Sequence, residues 1–207
     1  MASPADELTV ACVLRSGGDY SPEYVRRLAD GVAQHLTIPH EFVCLTDWPG
    51  ILPCARVDLL YDWPGWWSKL ELFEAFPSQT LYFDLDTTIK GSLDDIAAHP
   101  HRFTMLQDFT KPCLASGMMA WSGDWSALCR VFASDPKGWM RHCNKPLIWG
   151  DGGFIEHLIG YRGTDTFQAL HPGQIASRKC SSRHSIEAAR VVCWHGKPRP
   201  HEAGWKV

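Results

Sequence analysis

Leu81-Tyr82-Phe83-Asp84-Leu85-Asp86-Thr87-Thr88 is the stretch from which the rest of the chain is read. An apolar run ends abruptly in two carboxylates one residue apart, followed by two hydroxyls. If a strand continues through them, Asp84 and Asp86 share a face, because residues i and i+2 of a strand point the same way. Like charges at that spacing repel and raise one pKa unless a cation lies between them. A hard divalent ion with oxygen ligands is the usual remedy, and it commonly accompanies phosphate. The competing reading is a plain strand end at which Asp and Thr open a turn.

Working outward, Thr9-Val10-Ala11-Cys12-Val13-Leu14-Arg15 is a continuous apolar run, as expected of a strand buried on both faces. Ser16-Gly17-Gly18-Asp19 breaks it into a small-residue loop. Ser21 and Pro22 then open a helix to about His35, whose Tyr24, Val25, Leu28, Val32 and Leu36 recur at helical spacing. Residues 41–46 and, more weakly, 56–60 read as strands. Asp62-Trp63-Pro64-Gly65-Trp66-Trp67 reads as a rigid loop, and Ser68 as the cap of a helix from Lys69 to about Ala75. Strand-helix alternation before the octet predicts an α/β fold: one α/β/α sandwich on a mostly parallel, Rossmann-like sheet.

Downstream, 93–96 reads as a helical turn, 103–107 and 117–121 as strands, and 125–133 and 137–142 as helices. Gly150-Asp151-Gly152-Gly153 stands before a helix over 154–159. Residues 177–188 read as a polar, basic, mobile loop, and 190–194 as a last strand that delivers His195-Gly196-Lys197-Pro198-Arg199-Pro200.

At 207 residues the chain suits one well-buried domain, taken as residues 8–207 after a disordered 1–7. The net charge of −3 excludes a generally electrostatic nucleic-acid binder. No apolar run reaches the ~20 residues of a membrane span, and residues 1–7 are no signal peptide. The eight cysteines include no C-x-x-C pair, and Cys12, Cys44 and Cys193 lie in apolar runs as reduced core thiols would, so the chain reads as soluble and cytoplasmic. Ten tryptophans point to stacking surfaces as well as core. Trp63, Trp66 and Trp67 suit either a ligand platform or the packing of the Lys69 helix onto the sheet.

Ligands of open α/β sheets bind at the carboxyl ends of strands. Three such ends carry chemistry here: Arg15-Ser16-Gly17, the Asp84/Asp86 pair, and His195-Gly196-Lys197. Two carboxylates and an imidazole make a reasonable Mn²⁺ or Mg²⁺ shell, with diphosphate oxygens completing it and Lys197 neutralising phosphate.

With these residues in view, the chain resembles metal-dependent GT-A glycosyltransferases, most nearly glycosyltransferase family eight. The resemblance rests on a strand ending in Asp84-Leu85-Asp86, a basic residue on the preceding helix, and His195-Gly196-Lys197-Pro198 near the C-terminus. It implies a UDP-sugar donor whose diphosphate is held by Mn²⁺, and transfer with retention of anomeric configuration. Asp84, Asp86 and His195 become the metal ligands, with Asp84 also near the donor. Lys69 becomes the helix-borne basic residue that meets the donor. Ala115-Ser116-Gly117-Met118-Met119 resembles the strand that lines the sugar pocket, with Ser116 where the family has Asn-x before Gly. Gly150-Asp151-Gly152-Gly153-Phe154 resembles the family's Asp-Gln segment, with Gly152 replacing Gln. Asp151 is then the carboxylate near the anomeric carbon, catalytic together with Lys69. Arg15, Ser16, Gly17, Gly196 and Lys197 complete the donor-binding set. The acceptor is unspecified: a glycan, a protein or a modified nucleic-acid base remain open.

Two other readings fit parts of this pattern. Asp84-Leu85-Asp86-Thr87-Thr88 matches the Asp-x-Asp-x-Thr of haloacid-dehalogenase-type phosphohydrolases, with Asp84 as nucleophile, although that motif normally opens its domain. A non-catalytic relic that binds a nucleotide-sugar without turnover is the other.

Overall fold

The computed structural model describes residues 8–204, and the expected disordered stretch 1–7 lies outside them. The first strand, β1 (Leu8–Leu14), pairs in parallel with β2 (His40–Thr46) and β4 (Thr80–Phe83), and β2 with β3 (Ala55–Asp58). Strand β7 (Leu114–Trp121) runs antiparallel to β4 and to β6 (Phe103–Gln107), which itself pairs in parallel with β10 (Asp165–Thr166). The order across this seven-stranded sheet is β10-β6-β7-β4-β1-β2-β3, mostly parallel as expected.

Alternation along the central strands feeds two cores, one on each face. Val10, Cys12 and Leu14 of β1 and Leu81 and Phe83 of β4 pack beneath α1 (Pro22–His35) through Tyr24, Val25, Leu28 and Val32. Ala11 and Tyr82 point the other way, into a core closed by α2 (Leu72–Ala75), α4 (Ser126–Ser134) and α6 (Gly150–Ile159). Helices α3 (Asp94–Ala98) and α5 (Pro136–His142) lie where the periodicity puts them. The α/β/α sandwich follows from burial on both sheet faces.

The octet departs from a continuous strand. β4 stops at Phe83, and Thr87 N donates to Asp84 O at 2.9 Å, closing a turn through Leu85, which is buried. The chain then enters β5 (Thr87–Ile89), which joins a second, three-stranded sheet with β12 (Val191–Cys193) and β11 (Ile175–Ser177). The expectation that Asp84 and Asp86 share a strand face is therefore corrected: a turn, not strand periodicity, sets their directions.

Four further expectations are corrected. Ser68 does not cap a helix; it lies inside a 3₁₀ segment, Gly65–Glu71, with Oγ donating to Gly65 O at 2.7 Å. The weak third strand ends at Asp58, not at residue 60. Gly150 to Gly153 lie within α6 instead of preceding it, because the helix packs too close for side chains: a Cβ at Gly153 would stand 2.7 Å from Ile148 C. The basic stretch expected as a loop holds the end of β11 and a helix, α8 (Arg183–Ala188), capped by Ser182 Oγ accepting from Ser185 N. Short elements with no sequence signal are the hairpin β8–β9 (Asn144–Lys145, Ile148–Trp149) and α7 (Phe167–Leu170). All eight cysteines are free thiols. No helix among the described residues is long and apolar enough to cross a membrane.

Candidate functional site

A cavity of about 890 Å³ opens at the carboxyl ends of β1, β4 and β6, beside the start of the reversed β7. Arg15, Ser16 and Gly17 line it from the end of β1, and Asp84 and Asp86 from the turn after β4. Ser116 and Gly117 enter from β7, Lys69 from the 3₁₀ segment, Asp151 from the first turn of α6, and His195 and Gly196 from the chain after β12. Lys197 points elsewhere: it lines a smaller adjoining cavity with Arg178 and Lys179, and its ammonium lies 3.5 Å from Glu202.

Lys69 is the electrostatic centre. Its side chain is 8% exposed, and Nζ lies 3.1 Å from each of Asp84 Oδ1, Asp151 Oδ2 and Ser116 Oγ. Burial opposes its charge, but Asp151 and then Asp84 outweigh that and hold its pKa above the ordinary lysine value. The local sequence explains the placement. Gly65 (φ +56) starts the 3₁₀ turns, and Trp67 stacks on Phe132 with Trp63 edge-on to the same ring, anchoring the segment that carries Lys69. Trp63 and Trp67 thus serve packing, whereas Trp66 is half exposed and lines the cavity with Leu147 and Trp149.

Asp84 also accepts a short hydrogen bond from Tyr82 Oη, and its N–H donates to Gly117 O at 2.9 Å. Asp86 is buried and takes a different set of partners. Its Oδ2 accepts from Tyr20 Oη at 2.5 Å and from Arg199 Nη1 at 3.2 Å. Burial and then the charge of Asp84 raise its pKa to about 7, against the pull of Tyr20, Arg199 and Lys69. At the end of β1, Arg15 and Ser16 are held by Asp47: Nη1 to Oδ2 at 3.1 Å, and Ser16 N and Oγ at 2.6 and 2.7 Å.

The acidic pair suits a hard cation, since an ion there would relieve both the burial of Asp86 and its repulsion from Asp84. His195 does not stand with them. Its Nε2 shares a hydrogen bond with Ser177 Oγ at 2.7 Å, and its ring stacks parallel to Phe109. Burial holds its pKa below the ordinary value, with Asp108 opposing and Lys179 adding to the shift, which favours the neutral ring. Among the described residues, no three His, Cys, Asp or Glu side chains are grouped to hold a metal ion.

Tyr20, Tyr82 and Arg199 are site residues that sequence reasoning missed. Tyr82 sits inside the octet itself, but its apolar neighbours mark it as core. Tyr20 directly follows the small-residue loop, which was a usable signal.

No family model matches the sequence, and no curated protein matches it. Solved structures do. The apo glycosyltransferase GlyE of Streptococcus pneumoniae TIGR4 aligns with a TM-score of 0.64 at 9% identity, over 94% of this chain and 56% of that one. The galactosyltransferase LgtC, in complex with donor and acceptor sugar analogues, aligns with a TM-score of 0.64 at 11% identity, over 93% of this chain and 88% of LgtC. An active-site mutant of LgtC aligns at 0.63 and 12%. The chain thus spans about half the length of GlyE and most of LgtC, and over nearly all its length it has the GT-A-like fold of these glycosyltransferases.

Proposed function

We propose that the chain transfers a sugar from a nucleotide-diphosphate donor, a UDP-sugar, to an acceptor, as a family-eight type glycosyltransferase acting with retention. The observation that carries this reading is the buried Lys69–Asp151 pair with the partly exposed Asp84 beside it, in a cavity large enough for such a donor. The shared fold supports it, and weighs against a dehalogenase-type phosphohydrolase with Asp84 as nucleophile.

In this reading Asp84 and Asp86 would hold Mn²⁺ or Mg²⁺, His195 would join them as a third ligand only on giving up Ser177 Oγ, and the ion would supply positive charge to the donor's diphosphate. Lys69, kept charged by its two carboxylates, supplies fixed positive charge facing the leaving group without reorganising during the reaction. Asp151, buried against Lys69, presents its carboxylate to the positive charge that develops at the anomeric carbon. Ser116 and Gly117 shape the sugar pocket. Gly17 and Gly196, both at positive φ, let backbone approach the nucleotide and diphosphate, and Lys197 would reach the phosphate only on leaving Glu202. Gly152 stands where the family has a longer residue, and α6 lies against β7 there: a Cβ would come into van der Waals contact with Leu114 O and Ser116 N at 3.4 Å. The acceptor enters over the exposed rim of Trp66 and Trp149, where ring stacking suits a glycan.

The test is release of UDP from a panel of UDP-sugars with Mn²⁺, with and without simple glycan acceptors. Acceptor-stimulated UDP release supports transfer. Tight UDP-sugar binding without any release identifies a relic, and phosphate release from an aryl phosphate without nucleotide identifies a phosphohydrolase.

A further inference from the structure

The C-terminal segment brings a cation of its own to the acidic pair. β12 pairs with β5 so that Cys193 faces Thr87, and the chain beyond turns at Gly196 and returns across the end of β4. There Arg199 Nη1 lies 3.2 Å from Asp86 Oδ2, and its Nε 3.1 Å from Asp19 Oδ2. Its guanidinium lies over the Tyr20 ring, 5.2 Å from the centroid, and the Tyr20 hydroxyl donates to the same Asp86 oxygen at 2.5 Å. The segment is braced within itself and tied to α1 just beyond this contact. Arg199 N donates to Glu202 Oε2 at 2.7 Å, and His201 N to Tyr24 Oη at 3.2 Å.

The Asp86 side chain is 7% exposed and that of Arg199 25%, so the pair meets where solvent screens it poorly. A guanidinium is always charged and grips carboxylates through a planar fork. It therefore cannot be titrated away, and a divalent ion arriving at Asp86 meets a positive charge already in place. Asp19 and the Tyr20 face give the guanidinium somewhere to stay once it leaves Asp86.

We propose that Arg199 is an internal counter-ion of Asp86 that competes with the divalent cation, so that the ion binds only as Arg199 leaves the carboxylate. This rests on reading the Asp84–Asp86 pair as the metal-holding site. When the competent state is only a fraction of the population, the apparent dissociation constant rises by the inverse of that fraction. Removing the competitor therefore tightens metal binding, the opposite of what removing an ordinary site residue does.

The experiment titrates Mn²⁺ alone into the full chain and follows free Mn²⁺ by electron paramagnetic resonance. Thermal melts check that each variant is folded. Arg199→Gln should bind Mn²⁺ about tenfold more tightly than wild type. Arg199→Lys, which keeps the charge but not the fork, should fall between, and it carries the test if the Gln variant does not fold. Arg26→Gln, which removes an exposed charge on α1, should stay within about twofold of wild type, as a screened distant charge does. Asp86→Asn should lose binding. If Arg199→Gln matches wild type while Asp86→Asn loses the ion, the pair holds metal and the competition is refuted. Equal gains in Arg199→Gln and Arg26→Gln refute it too, as a bulk charge effect. If no variant, nor the wild type, binds Mn²⁺ even with UDP present, the metal reading itself falls and takes this one with it.

Discussion

Replacing Lys69 by Met removes the charge that two carboxylates share while roughly keeping the side chain's volume. The cost comes mainly from Asp151. Its side chain is 7% exposed and its pairing with Lys69 is 3.1 Å, so it is left as an uncompensated buried charge. Asp84, 33% exposed, is screened by water and adds less. Breaking a buried pair from one side costs about 3–5 kcal/mol. For a chain of this size that lowers the melting temperature by roughly 6–20 °C. Urea unfolding followed by tryptophan fluorescence measures it. Adding Asp151→Asn should recover about 2 kcal/mol, since the double variant no longer buries a lone carboxylate. A loss under about 1 kcal/mol for Lys69→Met, or no recovery in the double variant, would place Lys69 among ordinary surface ion pairs and refute its role as the charge centre.

Other outcomes follow from the same structure. His101 is buried, with Nδ1 to Thr104 Oγ1 at 2.7 Å and Nε2 to Ile96 O at 2.8 Å, and burial lowers its pKa from 6.5 to about 4. The unfolded chain takes up this proton first, so His101 supports the fold above its ordinary pKa. That support drains away as pH falls, by about 3 kcal/mol between roughly pH 7.5 and pH 4; urea midpoints of wild type and His101→Gln across that range should converge at the acid end. Gly153→Ala forces a Cβ to within 2.7 Å of Ile148 C and should cost about 1–3 kcal/mol in a thermal melt. Trp67→Ala should cost about 3–5 kcal/mol, because its ring stacks on Phe132 in the core. Half-exposed Trp66→Ala should shift stability by less than about 1 kcal/mol and instead raise the KM for acceptor; equal destabilisation by the two would undo the separation of packing from platform.

The parts of the fold legible in sequence are those whose burial pattern repeats. β1, α1, β2 and β4 each present a run long enough for two-faced burial or helical spacing to show. Of the second sheet only β12 is legible, as the apolar run within 190–194; β5 and β11 are three residues each and are specified by their partners, not by local pattern. Gly150 to Gly153 read as a loop because glycine disfavours helix, yet at Gly153 the close approach of Ile148 leaves no room for a Cβ. Within the site, Asp84, Lys69 and Asp151 were found as separate motifs, and the structure brings them onto one ammonium. Arg199 lay within the quoted tail but carried no signal, since its meaning depends on the tail folding back onto Asp86. His195 was legible as an imidazole near the site, but not its engagement with Ser177, which comes from the β11–β12 pairing.

The proposed role of Asp84 and Asp86 is to serve a nucleotide diphosphate through a divalent ion. Calorimetric titration of UDP into wild type, Asp86→Ala and His195→Ala, each with and without Mn²⁺, puts that role to the test. Mn²⁺-dependent UDP binding is expected in the wild type, with its loss in Asp86→Ala and a smaller weakening in His195→Ala. Binding of UDP that is equal in wild type and Asp86→Ala and indifferent to Mn²⁺ would contradict it.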